Sequence, residues 1–269
     1  MTKASLINRL KFKIFKNHYR LLASNLVVLP LIFPEKKLCL FFSAKSGCTF
    51  ATKWFFFQLG LLNEALDYHH WVHNYRIDIY YKQKEYLANL NSVLSPDYLR
   101  IKLVRSPYQR AVSSYIHAIR TRYATEDLSR FLQRDVSDEK KFTFEEFIDY
   151  LEATGVKNCN PHHRVQLENL EADGLLQFDK IIKLEESFPA FLQLEQELGL
   201  KSSDLGSFAQ SQHHRNRDAS DAYCGNKLYK RSDQTFGQFR AFYNDSLKEK
   251  IANLYMCDFE QYHYPLGEI

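Results

Sequence analysis

Two short apolar runs constrain this chain more than any other feature. Residues Lys37 to Phe42 read KLCLFF and Leu99 to Val104 read LRIKLV, both dense enough in apolar side chains to be strands covered on two faces. Each is followed by a break and then a helical stretch. Ser43 to Gly47 precede an apolar run over Trp54 to Leu62, and Pro107 precedes a helix expected over Tyr108 to Tyr123. Parallel strands need a long crossover between them, so two successive strand, loop and helix units predict an α/β fold with a parallel sheet. A third strand is expected at Phe178 to Leu184, with a helix over Phe188 to Leu200. A last helix near Ser246 to Tyr255 carries Leu247, Ile251 and Leu254 on one face. Thr125 to Lys141 reads as a polar surface excursion and Ser202 to Asp233 as a long loop.

The chain has 269 residues, 45% of them hydrophobic, which is enough for one sizeable core. A single domain is therefore expected over residues 37–269, preceded by a basic segment over 1–36. The 36 basic and 32 acidic residues leave a net charge of +4. That mixture is too even for a nucleic-acid binder, although its sign suits an anionic ligand. Five dispersed cysteines, an odd number, suggest neither a disulfide framework nor a CxxC metal site, and favour a reducing compartment. The first 34 residues hold six Lys or Arg and no acid. Their apolar run, Leu26 to Phe33, is too short to span a bilayer, which needs about 20 apolar residues. Leu6, Ile7, Leu10, Ile14 and Leu21 alternate with Lys11, Lys13, Lys16 and Arg20, so residues 1–34 suit peripheral membrane association or a surface helix.

The first break carries chemistry. Ser43-Ala44-Lys45-Ser46-Gly47-Cys48-Thr49 lies between a strand and a helix, where amides and the helix dipole favour a bound phosphate. Gly47 permits close backbone approach, while Lys45, Ser46 and Thr49 offer a cation and two hydroxyls. The segment is not a Walker A loop, since the chain has no G-K-[ST]. At the end of the second strand stands Arg105, followed by Ser106-Pro107-Tyr108-Gln109-Arg110-Ala111-Val112-Ser113-Ser114-Tyr115. Its planar fork suits a phosphate, and Ser113 on the next helix could reach the same oxygens.

Together the two segments resemble the two donor-binding signatures of the sulfotransferases that use 3'-phosphoadenosine 5'-phosphosulfate (PAPS). The likeness is closest to the Golgi-type carbohydrate sulfotransferases and their bacterial relatives. Their first signature reads like P-K-x-[AG]-C-T, matched by Lys45, Gly47, Cys48 and Thr49. Their second reads like V-R-x-P-[FY]-x-R-x-V-S-x-Y, matched by Val104, Arg105, Pro107, Tyr108, Arg110, Val112, Ser113 and Tyr115. Asn160 to Gln166, Phe178 to Glu185 and Tyr255 to Tyr264 look like later family segments, so the resemblance runs from about Lys37 to Pro265. Ala44, Phe50-Ala51, Ser106 and His163 depart from the family pattern, the last in a region that varies with the acceptor.

The resemblance implies a P-loop-like three-layer α/β/α fold with a central parallel sheet, and transfer of a sulfuryl group from PAPS to a hydroxyl. It places Lys45, Ser46, Gly47, Cys48 and Thr49 at the 5'-phosphosulfate, and Arg105 and Ser113 at the 3'-phosphate. Lys45 would stabilise the departing phosphate, and no metal is expected. A carbohydrate or glycolipid acceptor is implied, with no nucleic-acid partner. A cytoplasmic location is expected rather than the Golgi lumen, because no membrane anchor is visible in the sequence. Family members carry their base between the two signatures. His69, His70 and His73 lie there, and a histidine can take a proton near neutral pH. His73 is favoured, then His70, with Glu64 as the carboxylate alternative. His69 and His73 are also four apart, a spacing that on one helix could bind zinc. Two other functions compete: a P-loop-type small-molecule kinase, and a non-catalytic domain that binds glycans or a membrane surface.

Overall fold

The computed structural model of the chain describes residues 25–137, 142–210, 216–218 and 220–269. The basic amphipathic pattern between Leu6 and Leu21 lies outside the described residues. In chain order the strands are β1 (Leu31–Phe33), β2 (Leu38–Phe42), β3 (Leu99–Val104), β4 (Lys180–Lys183), β5 (Asn216–Arg217) and β6 (Thr235–Phe236). The principal helices are α1 (Cys48–Leu59), α2 (Leu62–Tyr68), α3 (Val72–Asp78), α4 (Pro107–Thr121), α5 (Phe144–Thr154), α6 (Ser187–Glu197), α7 (Asp245–Leu254) and α8 (Met256–Tyr262). They fall into two compact units, the described part of Met1–Val104 with Gln166–Ser211, and the described part of Arg105–Val165 with Gln212–Ile269.

The first unit is built on a four-stranded sheet in the order β1-β2-β3-β4. Strand β2 runs parallel to β3, with Leu40 opposite Ile101, and β3 parallel to β4, with Leu103 opposite Ile182. All five side chains of β2 are buried, as its unbroken apolar run requires. The α/β class is as expected, but the sheet is mixed rather than wholly parallel. Leu31–Phe33, part of the stretch assigned from sequence to the basic N-terminal segment, forms β1 and pairs antiparallel with β2. Only the single turn Pro34–Lys36 separates the two strands, and so short a link cannot carry a parallel crossover. Tyrosines tie this segment down. The Tyr80 hydroxyl accepts from the Ile32 amide and donates to the Ile32 carbonyl, at 3.0 and 2.9 Å, and Tyr86 donates to the Pro30 carbonyl at 2.9 Å.

Helix α1 packs on α6 through aromatic rings, Trp54 against Phe191 at 4.6 Å and Phe50 against Phe191 at 5.1 Å. The Trp54 indole N–H is satisfied in the core by Glu195, 2.8 Å away, which fixes the rotation of α1 about its axis. Gly60 ends α1 in the left-handed conformation that glycine adopts without steric cost.

The second unit is mainly helical. The ring of Tyr115 on α4 packs against Phe142, Phe144, Phe147 and Phe242, so residues far apart in sequence share one aromatic core. Helix α5 starts at a capping box, Thr143 and Glu146 each satisfying the other's backbone amide. The expected polar excursion after Tyr123 is in part a helix, Thr125–Leu132, because Leu128 is buried while its polar neighbours face solvent. The long loop expected over Ser202 to Asp233 contains the short helix Leu205–Ala209, capped by Asp204, and strand β5, which pairs with β6. Among the described residues no helix is long and apolar enough to cross a membrane.

Candidate active site

Between the end of β2 at Phe42 and the start of α1 at Cys48 the chain makes a tight loop whose shape is set by two left-handed residues. Lys45 has φ +67° and Gly47 φ +89°. A side chain at Gly47 would strain the backbone, and its Cβ would stand 2.5 Å from Leu184 Cδ1 and 3.3 Å from Leu103 Cδ2. Glycine is therefore needed here both for its conformation and for the close approach of the β3 and β4 ends. Lys45 carries a Cβ in the same region, at a cost of roughly 1–2 kcal/mol, strain of the kind found at functional positions.

Ser46 is fully buried, and its hydroxyl is turned into the loop. It donates to the Ser43 carbonyl at 2.7 Å, lies 3.3 Å from the Leu103 carbonyl, and accepts from the Ser43 amide at 3.1 Å. Its single O–H thus joins β2, the loop and β3. Cys48, Thr49 and Phe50 open α1, where backbone amides have no carbonyl one turn earlier, and Gly47 supplies no side-chain cap. Amides so placed, with a lysine three residues before the first of them, suit an anion.

The structure separates the candidate bases. His73 lies on α3, is 4% exposed, and brings Nε2 within 3.1 Å of Thr49 Oγ1. His70 is exposed in the link between α2 and α3, its ring 4.1 Å from that of His69. Glu64 accepts a hydrogen bond from Tyr75 at 2.8 Å, and burial, together with this contact, pushes the Tyr75 phenol up to about 12. His69 and His73 do not share a helix. His69 ends α2 in an extended conformation, and Trp71, also extended, precedes α3, so the four-residue spacing has no helical meaning. No group of three or more His, Cys, Asp or Glu among the described residues could hold a metal ion.

One residue near this loop was not singled out from sequence. Arg76 lies one turn beyond His73 on α3, with its guanidinium 5.2 Å from the Phe42 ring centroid and 5.6 Å from that of Tyr81. Its only sequence signal is the spacing of three from His73, which puts both on one helix face.

In the second unit the signature that begins at Arg105 divides in two. Tyr108, Arg110, Val112 and Tyr115 are buried, and Arg110 donates to the Pro161 carbonyl at 3.3 Å, so these four hold the unit's core. Arg105, Gln109 and Ser113 are half-buried and fall four apart. Arg105 Nη2 stands 3.4 Å from the side-chain Oε1 of Gln109, and its guanidinium 5.0 Å from the centroid of the Phe239 ring, on which Arg217 also stacks at 4.0 Å. Arg105 and Ser113, the signature residues expected at the 3'-phosphate, are thus not part of that buried set.

The segment after Asn160 buries His163, which is 2% exposed and 3.2 Å from the Tyr123 hydroxyl through Nδ1. Burial, with Arg110 and His162 nearby, lowers its pKa from 6.5 to about 4. Below pH 6.5 the unfolded chain takes up a proton that the folded state refuses. Stability drawn from the neutral ring is complete above pH 6.5 and is lost as the pH falls towards 4, by up to about 3 kcal/mol. The wild-type melting temperature should therefore fall more steeply between pH 7 and 4.5 than that of His163→Asn. Equal slopes would show that the ring is not held neutral.

Comparison with protein families gives a match over residues 31–265 to the model described as "Sulfotransferase family". No curated protein matches the chain significantly. No solved structure does so either. The match spans both compact units, from β1 to the residues just past α8, and with the α/β architecture it shows that the chain belongs to the sulfotransferase family.

Proposed function

We propose that the protein transfers a sulfuryl group from PAPS to a hydroxyl of a carbohydrate or glycolipid. The observation that carries this reading is the contact between Thr49 and His73, which joins the favoured base to the first turn of α1. PAPS supplies an activated sulfuryl group with a phosphate as its leaving group. The residues fit it: the α1 amides and Lys45 suit the phosphosulfate end, and Arg105 and Ser113 are proposed for the 3'-phosphate. Lys45 offsets the charge that builds on the bridging oxygen as the bond from sulfur to the phosphate breaks. His73 receives the acceptor's hydroxyl proton as that oxygen bonds to sulfur, and Thr49 holds the imidazole towards the loop. The carbohydrate class of acceptor rests on the likeness of Cys48 and Arg110 to the signatures of that branch. The exposed ring of Trp71, 5.2 Å from that of His73, would suit a sugar face.

Ligand binding to the folded state raises the melting temperature, so the readings can be separated by thermal shift. Adenosine 3',5'-bisphosphate (PAP) is expected to stabilise the protein strongly, and ATP and heparin little. Stabilisation by ATP alone would favour a kinase, and by heparin alone a non-catalytic glycan binder.

A further inference from the structure

We propose that Arg76 is a further anion-binding residue of this site, donating to the non-bridging oxygens of the sulfonate that PAPS carries. The inference rests on the donor reading above and assigns a role to a residue outside both signatures. Arg76 Nε and Nη1 are buried and have no hydrogen-bond partner, and no described carboxylate forms an ion pair with it. Its guanidinium is held instead between two ring faces, Phe42 and Tyr81. Ring faces return only part of the hydration that a buried cation loses, and they leave its N–H groups unsatisfied. A buried charge without an acceptor is destabilising, and such a group persists where a ligand completes it.

The surroundings say which ligand. Phe42 is the last residue of β2, directly before the Ser43–Gly47 loop, so Arg76 stands at the carboxyl end of the strand, where α/β folds bind ligands. Tyr81, the second ring, lies within electrostatic reach of Cys48, the first residue of α1. His73, on the same face of α3, touches Thr49. Arg76 is therefore flanked by both ends of the loop and by the proposed base. The group next to the base must be the one transferred, so the planar fork of Arg76 is matched to the sulfonate, and the α1 amides to the phosphate.

Titration calorimetry with PAP and with PAPS, without acceptor, tests this on the wild type, Arg76→Gln and Arg76→Lys. Arg76→Gln is expected to bind PAPS at least about tenfold more weakly. It should bind PAP within about threefold of wild type, since PAP lacks the sulfonate, and Arg76→Lys should fall between the two. The ligand-free melting temperature of Arg76→Gln should equal or exceed that of wild type, because an uncompensated buried charge has been removed. Equal losses for the two nucleotides, or no loss, would overturn the assignment. So would a lowered melting temperature with an unchanged preference between PAPS and PAP, which would mark Arg76 as a packing residue. Wild-type protein that binds neither nucleotide would overturn the donor reading and Arg76's role with it. Binding of both without dependence on Arg76 would overturn the assignment alone.

Discussion

Lys45→Ala is expected to lower sulfate transfer by about 10²–10³-fold, the loss typical of removing one group that stabilises charge developing in the transition state. Lys45 occupies a left-handed position in the loop, whose turn is held by the Ser46 hydroxyl and by Gly47. The alanine variant is expected to melt close to wild type, because both of those features remain. PAP binding should weaken far less than turnover, because the α1 amides remain. Single-turnover transfer of labelled sulfate from PAPS to a panel of glycans, glycolipids and phenols would measure the loss. Unchanged kcat would remove Lys45 from the chemistry, and loss of folding would show that its strained conformation is structural.

The second large effect is expected at His73. His73→Asn should lower kcat by about 10²–10⁴-fold, the usual contribution of a general base, with PAP affinity nearly unchanged. Asparagine keeps a hydrogen-bonding group near Thr49 and so limits the structural cost of changing a buried residue. The acidic limb of the wild-type pH profile should report a pKa in the histidine range and should vanish in the variant. His70→Ala should be mild, since that ring is exposed in the link before α3. If His73→Asn is fully active and Glu64→Gln is not, the base is a carboxylate and the role of His73 is to hold Thr49.

Much of the fold was legible in the sequence because it is encoded locally. The apolar runs at Lys37 to Phe42 and Leu99 to Val104, each with a break and a helix after it, correspond to β2 with α1 and to β3 with α4. Pro107 marks the first turn of α4, where its missing amide has no partner to lose. The same local signals located the Ser43 to Thr49 loop and the Arg105 segment, and with them the family. What periodicity does not encode is which residues meet.

The sequence by itself thus determined the α/β class, the two motifs and a shortlist of three histidines. Only the tertiary structure decided that β1 closes the sheet antiparallel, since that follows from a turn too short for a crossover. It also decided that the Ser46 hydroxyl bridges β2 and β3, and that Tyr108, Arg110, Val112 and Tyr115 are buried in a core. The sequence already favoured His73 over His70, and what the packing adds is that His73 lies 3.1 Å from Thr49 while His70 is exposed in the link before α3. Contacts such as those of Arg76 with Phe42 and Tyr81 join residues from separate elements, and their geometry exists only once the elements have packed.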